Sequence, residues 1–250
     1  MKNKNKHTLC ILLSVLLIAS NTLDGQPLAS WDFNGTDLDN LDPNNQYTLA
    51  AGTTETEISE ATLTLGPGVR PATATGQYGF KIATADSQTS LAGAIANGHY
   101  IELTLNAANG TLLNLSSLEF NGQSGPTGAD NVALLSSIGG FTETATIVTR
   151  NPVAGVTGGL DTDNSGFGGP IDLSSTEFQN IASITFRLYG WNSSGSTGAT
   201  YFRNLSGNDL VIQGQAIVPE PATAAVLSGS LSLLAVFAGR HWQASLGRQR

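Results

Sequence analysis

Ile184-Thr185-Phe186-Arg187-Leu188-Tyr189 places an apolar side chain at every second position, with Thr185, Arg187 and Tyr189 between. Successive side chains of a strand point to opposite faces, so this stretch reads as a strand with one face in a core and one toward solvent. The same period recurs in Ile101, Leu103 and Leu105, separated by Glu102 and Thr104, and in Leu210 and Ile212 beside Val211 and Gln213. The last of these runs reaches Val218. Further strand candidates are residues 29–33, 61–65, 79–84, 112–120, 132–136 and 142–149. Turn residues separate them: Asn34-Gly35, Gly66-Pro67-Gly68, Asn121-Gly122, Gly139-Gly140, Gly168-Gly169-Pro170 and Ser206-Gly207-Asn208. No long helical periodicity interrupts residues 26–217, and a single short helical turn is expected at 175–180. Nothing repeats at a fixed interval, which excludes a solenoid. About eight to eleven antiparallel strands predict an all-β fold, an antiparallel β-sandwich of jelly-roll-like type. In such a fold the first and last strands lie side by side.

Composition agrees. Charged residues make up 12% of the 250-residue chain, and glycine alone occurs 29 times. Gly, Ser, Thr and Asn in this abundance suit short strands joined by polar turns. A body spanning 26–217 can bury about 70% of its unfolded surface without staples. Within it 17 acidic side chains face five basic ones (Arg70, Lys81, Arg150, Arg187 and Arg203), a net charge of −12. Such a surface repels phosphate backbones, so nucleic acid is no partner. Cys10 is the one cysteine, which excludes a disulfide framework and a thiol nucleophile in the body.

The two ends differ from the body. Lys2, Lys4 and Lys6 precede the apolar run 9–19, followed by small residues at Ala19 and Ser20. Residues 1–25 read as a cleavable signal peptide, whose apolar run is too short to span a bilayer. At the other end, Pro219 and Pro221 stop sheet pairing because neither donates a backbone hydrogen bond. Residues 222–239 carry no charge. As a helix they would reach about 27 Å, enough for a thin bilayer. Arg240, Arg248 and Arg250 follow as a basic end, cytoplasmic by the positive-inside rule.

Val218-Pro219-Glu220-Pro221-Ala222-Thr223, the apolar stretch after it and the basic end together resemble the PEP-CTERM sorting signal. The resemblance covers residues 218–250. It implies an exported bacterial protein, processed by a membrane-embedded sorting protease of the exosortase type and associated with extracellular polysaccharide and biofilm. It also implies membrane attachment through the transmembrane helix 222–239 before processing, then a cell-surface or extracellular location. One departure is that Arg240 is followed by His241-Trp242 where the family carries a tight arginine cluster. The opening stretch 29–35 and the closing strand are similar to those of many such proteins with sandwich ectodomains. Five Asn-x-Ser/Thr sequons, at Asn34, Asn109, Asn114, Asn192 and Asn204, read in this bacterial setting as products of an Asn/Ser/Thr-rich chain.

Candidate chemistry in the body is sparse. Asp161-Thr162-Asp163-Asn164-Ser165-Gly166, with Asp172 at the twelfth position, matches part of a calcium loop. Alternating oxygen ligands and a glycine for the tight turn suit a hard cation, so Asp161, Asp163, Ser165 and Asp172 are candidate ligands and calcium is the possible cofactor. Asp replaces the usual terminal Glu, Pro170 intrudes, and no helices flank the loop. Asp37, Asp39 and Asp42 form a second acidic loop. Tyr189, Trp191 and Tyr201 are the candidate aromatic platform for a sugar, although aromatics at strand ends also close cores. His99 is the body's one histidine, too few parts for a zinc or serine-hydrolase centre. Glu102 and Glu143 occupy polar positions of strand candidates, and spacing does not pair them across a glycosidase cleft. The expected role is therefore non-enzymatic: a structural or adhesive protein in extracellular polysaccharide. A lectin-like carbohydrate-binding module is the alternative, with a sandwich glycosidase or lyase behind it.

Overall fold

The computed structural model describes residues 25–157, 159–162 and 166–219. The expected signal peptide up to Asp24, the motif from Glu220 onward, the apolar stretch 222–239 and the three terminal arginines lie outside these residues. Among the described residues no helix is long and apolar enough to cross a membrane.

The first half of the chain forms β1 (Gln26–Trp31), β2 (Leu49–Ala50), β3 (Thr53–Thr54), β4 (Ile58–Leu65), β5 (Arg70–Pro71), β6 (Gln77–Lys81), helix α1 (Leu91–Asn97), β7 (Tyr100–Ala107) and β8 (Leu112–Phe120). The second half forms β9 (Gly122–Ser124), β10 (Asn131–Ser136), β11 (Thr146–Arg150), β12 (Ile171–Asp172), β13 (Ser183–Trp191), β14 (Ala199–Arg203) and β15 (Leu210–Ile217). They build three sheets, ordered β12-β8-β15-β1-β3, β11-β10-β13-β7-β4-β2 and β5-β6-β14-β9. Every ladder between these strands is antiparallel. The expected all-β, sandwich-like architecture is present.

The alternation in β13 decides its faces. Ile184, Phe186 and Leu188 are buried inward, while Thr185 and Arg187 are partly exposed on the outer face. Phe186 lies opposite Leu103 of β7, whose Ile101, Leu103 and Leu105 point the same way into the core. Leu118 and Phe120 of β8, Leu210 of β15 and Phe202 of β14 close the other side around a void of about 10 Å³. Side chains of all three sheets thus meet in one interior packed nearly to contact. Each large apolar side chain buried there contributes about 1.5–3 kcal/mol. Phe202 stacks on Phe33 at 6.0 Å between ring centroids and tilts against Phe120 at 5.0 Å.

The terminal strands lie together, as expected: Gln26 of β1 faces Gly214 of β15, and Trp31 faces Leu210. Asp209, buried just before β15, accepts the backbone N–H of Phe33 at 2.8 Å and that of Leu205 at 2.6 Å. Phe33 therefore lies past the end of β1, its N–H given to a carboxylate instead of a ladder.

Three expectations are corrected. Asn121-Gly122 is no hairpin turn; β8 runs through Asn121 into β9 and so passes from one sheet to another. Residues 142–149 are not one strand, because Glu143–Ala145 form a 3-10 turn before β11. Thr142 Oγ1 donates to Gly139 O at 3.0 Å and Thr146 Oγ1 to Glu143 O at 2.9 Å, local bonds that compete with a ladder. Helix α1 was not expected. It covers part of the outer face of the six-stranded sheet, which is why β10 is buried on both faces. The short helical turn expected at 175–180 is a 3-10 turn at Thr176–Phe178.

Candidate functional site

Of the candidate calcium ligands, Asp163 and Ser165 lie outside the described residues. Asp161 is 2% exposed. Its Oδ1 accepts the backbone N–H of Gly122 at 2.7 Å, and its carboxylate is ion-paired with the guanidinium of Arg203. Asp172 is exposed, and its carboxylate accepts the N–H of Ser174 at 2.8 Å. The hydrogen bonds from Ser174 hold that carboxyl below its ordinary pKa. In the second acidic loop, Asp37 accepts the N–H of Asp39 at 3.0 Å and Asp42 that of Asn44 at 2.8 Å, each capping a 3-10 turn. Among the described residues no group of three or more His, Cys, Asp or Glu is gathered closely enough to hold a metal ion.

The aromatic candidates are divided between sheets. Tyr189 and Trp191, at the end of β13, belong to one small cluster with Ala94 of α1 and with Ala133 and Leu135 of β10. Tyr189 is fully buried there, edge-on to Tyr100 at 5.2 Å, so its ring has no open face for a sugar. Tyr201 sits on β14 in the four-stranded sheet, opposite Gly79, and is not part of that cluster. Beside the cluster, Arg187 Nε donates to Glu102 Oε2 at 2.7 Å. Its guanidinium carbon lies 4.3 Å from the Tyr100 ring centroid and 4.0 Å from that of Phe141. Burial raises the pKa of the Tyr100 and Tyr189 phenols. Glu143 accepts the N–H of Ala92 in the first turn of α1 at 2.9 Å. Glu102 and Glu143 each therefore have a local partner.

The cleft that spacing alone did not disclose lies at the other end of α1. The helix begins at Ser90, whose Oγ accepts the N–H of Gly93 at 3.2 Å. It ends at Gly98, whose φ of +70° turns the chain into β7. A left-handed residue at that point favours glycine, which has no Cβ to clash. His99 follows. Across from it, Gly66 N bonds Tyr100 O at 2.9 Å and Gly68 N bonds Gly98 O at 3.2 Å. The approach is so close that a Cβ on Gly68 would stand 1.8 Å from Asn97 O and 2.7 Å from His99 Cδ2.

These segments and residues 83–88 enclose a mainly polar cleft of about 400 Å³, reached by Arg70, Asp86, Gln88, Asn97 and His99. Gln88 Nε2 donates to Asp86 O at 2.9 Å, and Asn97 Nδ2 to Gly93 O at 2.8 Å, which fixes both amides. His99 is 1% exposed, and its Nδ1 is sealed in without a hydrogen-bond partner. Burial lowers the imidazole pKa, partly offset by the negative charge of Asp86. The cleft is assembled from three separated segments, and its one mark in the sequence is a lone histidine after Asn97-Gly98 facing Gly66-Pro67-Gly68.

No protein-family model matches the chain, and no curated protein is significantly similar to it.

Proposed function

We propose that the chain is an exported bacterial surface protein whose sandwich acts outside the cell in a non-catalytic structural or adhesive role within extracellular polysaccharide. In this reading the sheets form a jelly-roll-like sandwich. Residues 218–223 are the motif read by an exosortase-type sorting protease, and 222–239 hold the membrane before processing. The observation that carries it is the pairing of β1 with β15, Gln26 opposite Gly214. The strand that follows the leader starts, and the strand that precedes the tail ends, at the same end of one sheet, as neighbours within it. Removing the leader and tethering by the tail therefore leave every ladder intact, and the far end of the sandwich remains free for contact. The net charge of −12 in residues 26–217 favours solubility outside the cell and disfavours nucleic acid. The polar cleft at His99 favours a second reading in the same setting, a lectin-like carbohydrate-binding module.

The test is the intact mass of the protein recovered from the surface and medium of the producing cell. Loss of residues 1 to about 25 together with the segment after Pro221 is the expected result. A mature mass that retains residues 222–250 removes the sorting reading and the polysaccharide setting with it.

A further inference from the structure

We propose that the cleft around His99 binds a neutral saccharide unit. The inference deepens the carbohydrate-binding reading and rests on it for its biological setting; the site itself stands on geometry. A volume of about 400 Å³ lies in the range of small-ligand clefts, about 300–1,000 Å³.

Its polar groups are of both kinds. Arg70 supplies donors and the Asp86 carboxylate supplies acceptors. The amides of Gln88 and Asn97 each give one N–H, to Asp86 O and Gly93 O respectively, which leaves a second N–H donor and the oxygen acceptor on each. Arg70 and Asp86 cancel in charge, so within a strongly acidic body this cleft is locally balanced. A balanced set of donors and acceptors matches hydroxyl groups, each of which donates and accepts, better than it matches an ion of either sign.

The second observation is the histidine. Buried polar atoms in native proteins are nearly always hydrogen-bonded, and one left over calls for an explanation. Nδ1 of His99 is buried without a hydrogen-bond partner. Nδ1 is closed off and Cδ2 lies against Gly68, so the ring meets the cleft through its Cε1–Nε2 edge. A neutral imidazole carries one proton. With that proton on Nε2, the ring presents a donor to a ligand hydroxyl while Asp86 accepts from a neighbouring one. A vicinal diol of a pyranose offers this pair of groups.

The experiment uses the full chain, with histidine ring and side-chain amide signals followed by NMR during titration with glucose, galactose, mannose and N-acetylglucosamine. Concentrations up to about 50 mM detect dissociation constants in the millimolar range. The expected result is a saturable shift of the His99 ring and the Gln88 amide with at least one of these sugars. Asp86→Ala and Arg70→Ala alter exposed side chains and leave the fold in place. Each is expected to weaken the interaction by about tenfold, the loss of one good hydrogen bond. No shift with any of the four sugars overturns the proposal. So does a shift produced by sulfate or acetate alone, or binding that both variants leave unchanged. This result is independent of the intact-mass test: the cleft can bind sugar in a protein that keeps its tail, and a sorted protein can leave the cleft empty.

Discussion

The carboxylate of Asp161 pairs with the guanidinium of Arg203 at the point where β8 runs on into β9. The same carboxylate accepts Gly122 N–H at 2.7 Å, and Arg203 N–H bonds Asn121 O at 2.9 Å. The side chains are 3% and 22% exposed, so removing one leaves the other poorly solvated. Asp161→Ala is expected to cost about 3–5 kcal/mol, the range for breaking a buried pair. Asp161→Asn, which keeps an acceptor for Gly122, should cost less. Urea midpoints of the two variants test this, and an Ala variant as stable as the parent overturns it. The same result bears on calcium: loss of metal binding in an Asp161 variant is informative only where the variant is shown to be folded.

Arg187 is held on the outer face of β13 between the rings of Tyr100 and Phe141 and by Glu102. A lysine keeps the charge but loses the planar group that stacks on both rings and the directed bond from Nε. Arg187→Lys should therefore destabilise by about 1–2 kcal/mol, mostly from the lost ring contacts. A denaturation midpoint within error of the parent would show that charge alone suffices there.

His99 gives stability a pH dependence near neutrality. Its folded-state pKa lies below the ordinary 6.5 because the ring is buried. The unfolded chain therefore takes up the proton first as pH falls. The contribution is fully present above about pH 6.5 and is lost as pH drops below it. Unfolding free energy measured between about pH 7.5 and 5 should decline in the parent and change less in His99→Phe. Equal slopes in the two proteins would assign the decline to other groups.

Tyr78 acts in the opposite range. Burial raises its phenol well above its ordinary pKa, and its hydroxyl donates to Tyr47 O at 2.9 Å. The folded protein keeps this proton after the unfolded chain has lost it, so the contribution is present below about pH 10 and lost as pH rises further. Tyr78→Phe should cost about 1 kcal/mol at pH 7 through the lost hydrogen bond and show a shallower alkaline decline. A decline as steep as the parent's would place the alkaline transition on other tyrosines.

What the sequence disclosed follows the period-two signal. β7, β8, β13 and β15 have one buried and one wetter face, and their alternation is legible without any partner. β14 escaped because only Thr200 and Phe202 point inward along five residues. Helix α1 escaped because seven residues rich in Ala and Gly carry too little periodicity, and its capping by Ser90 and Glu143 is a matter of three-dimensional contact. The candidate sites failed to assemble from spacing for the same reason. Asp161 finds Arg203 at a sequence distance of 42, and His99 meets Asp86 and Arg70 only because the chain folds back across Gly68.

The placement of β15 between β8 and β1 has a mechanical consequence. Eight register pairs join β15 to β8, and the far edge of the strand is held by β1. A pull at Ile217 directed along the strand axis would strain these bonds in shear, all together, instead of peeling them apart singly. Resistance to force is governed by the rate of unfolding, not by equilibrium stability. A domain suspended from this strand and dragged by flow would hold its shape until a whole ladder gives way at once.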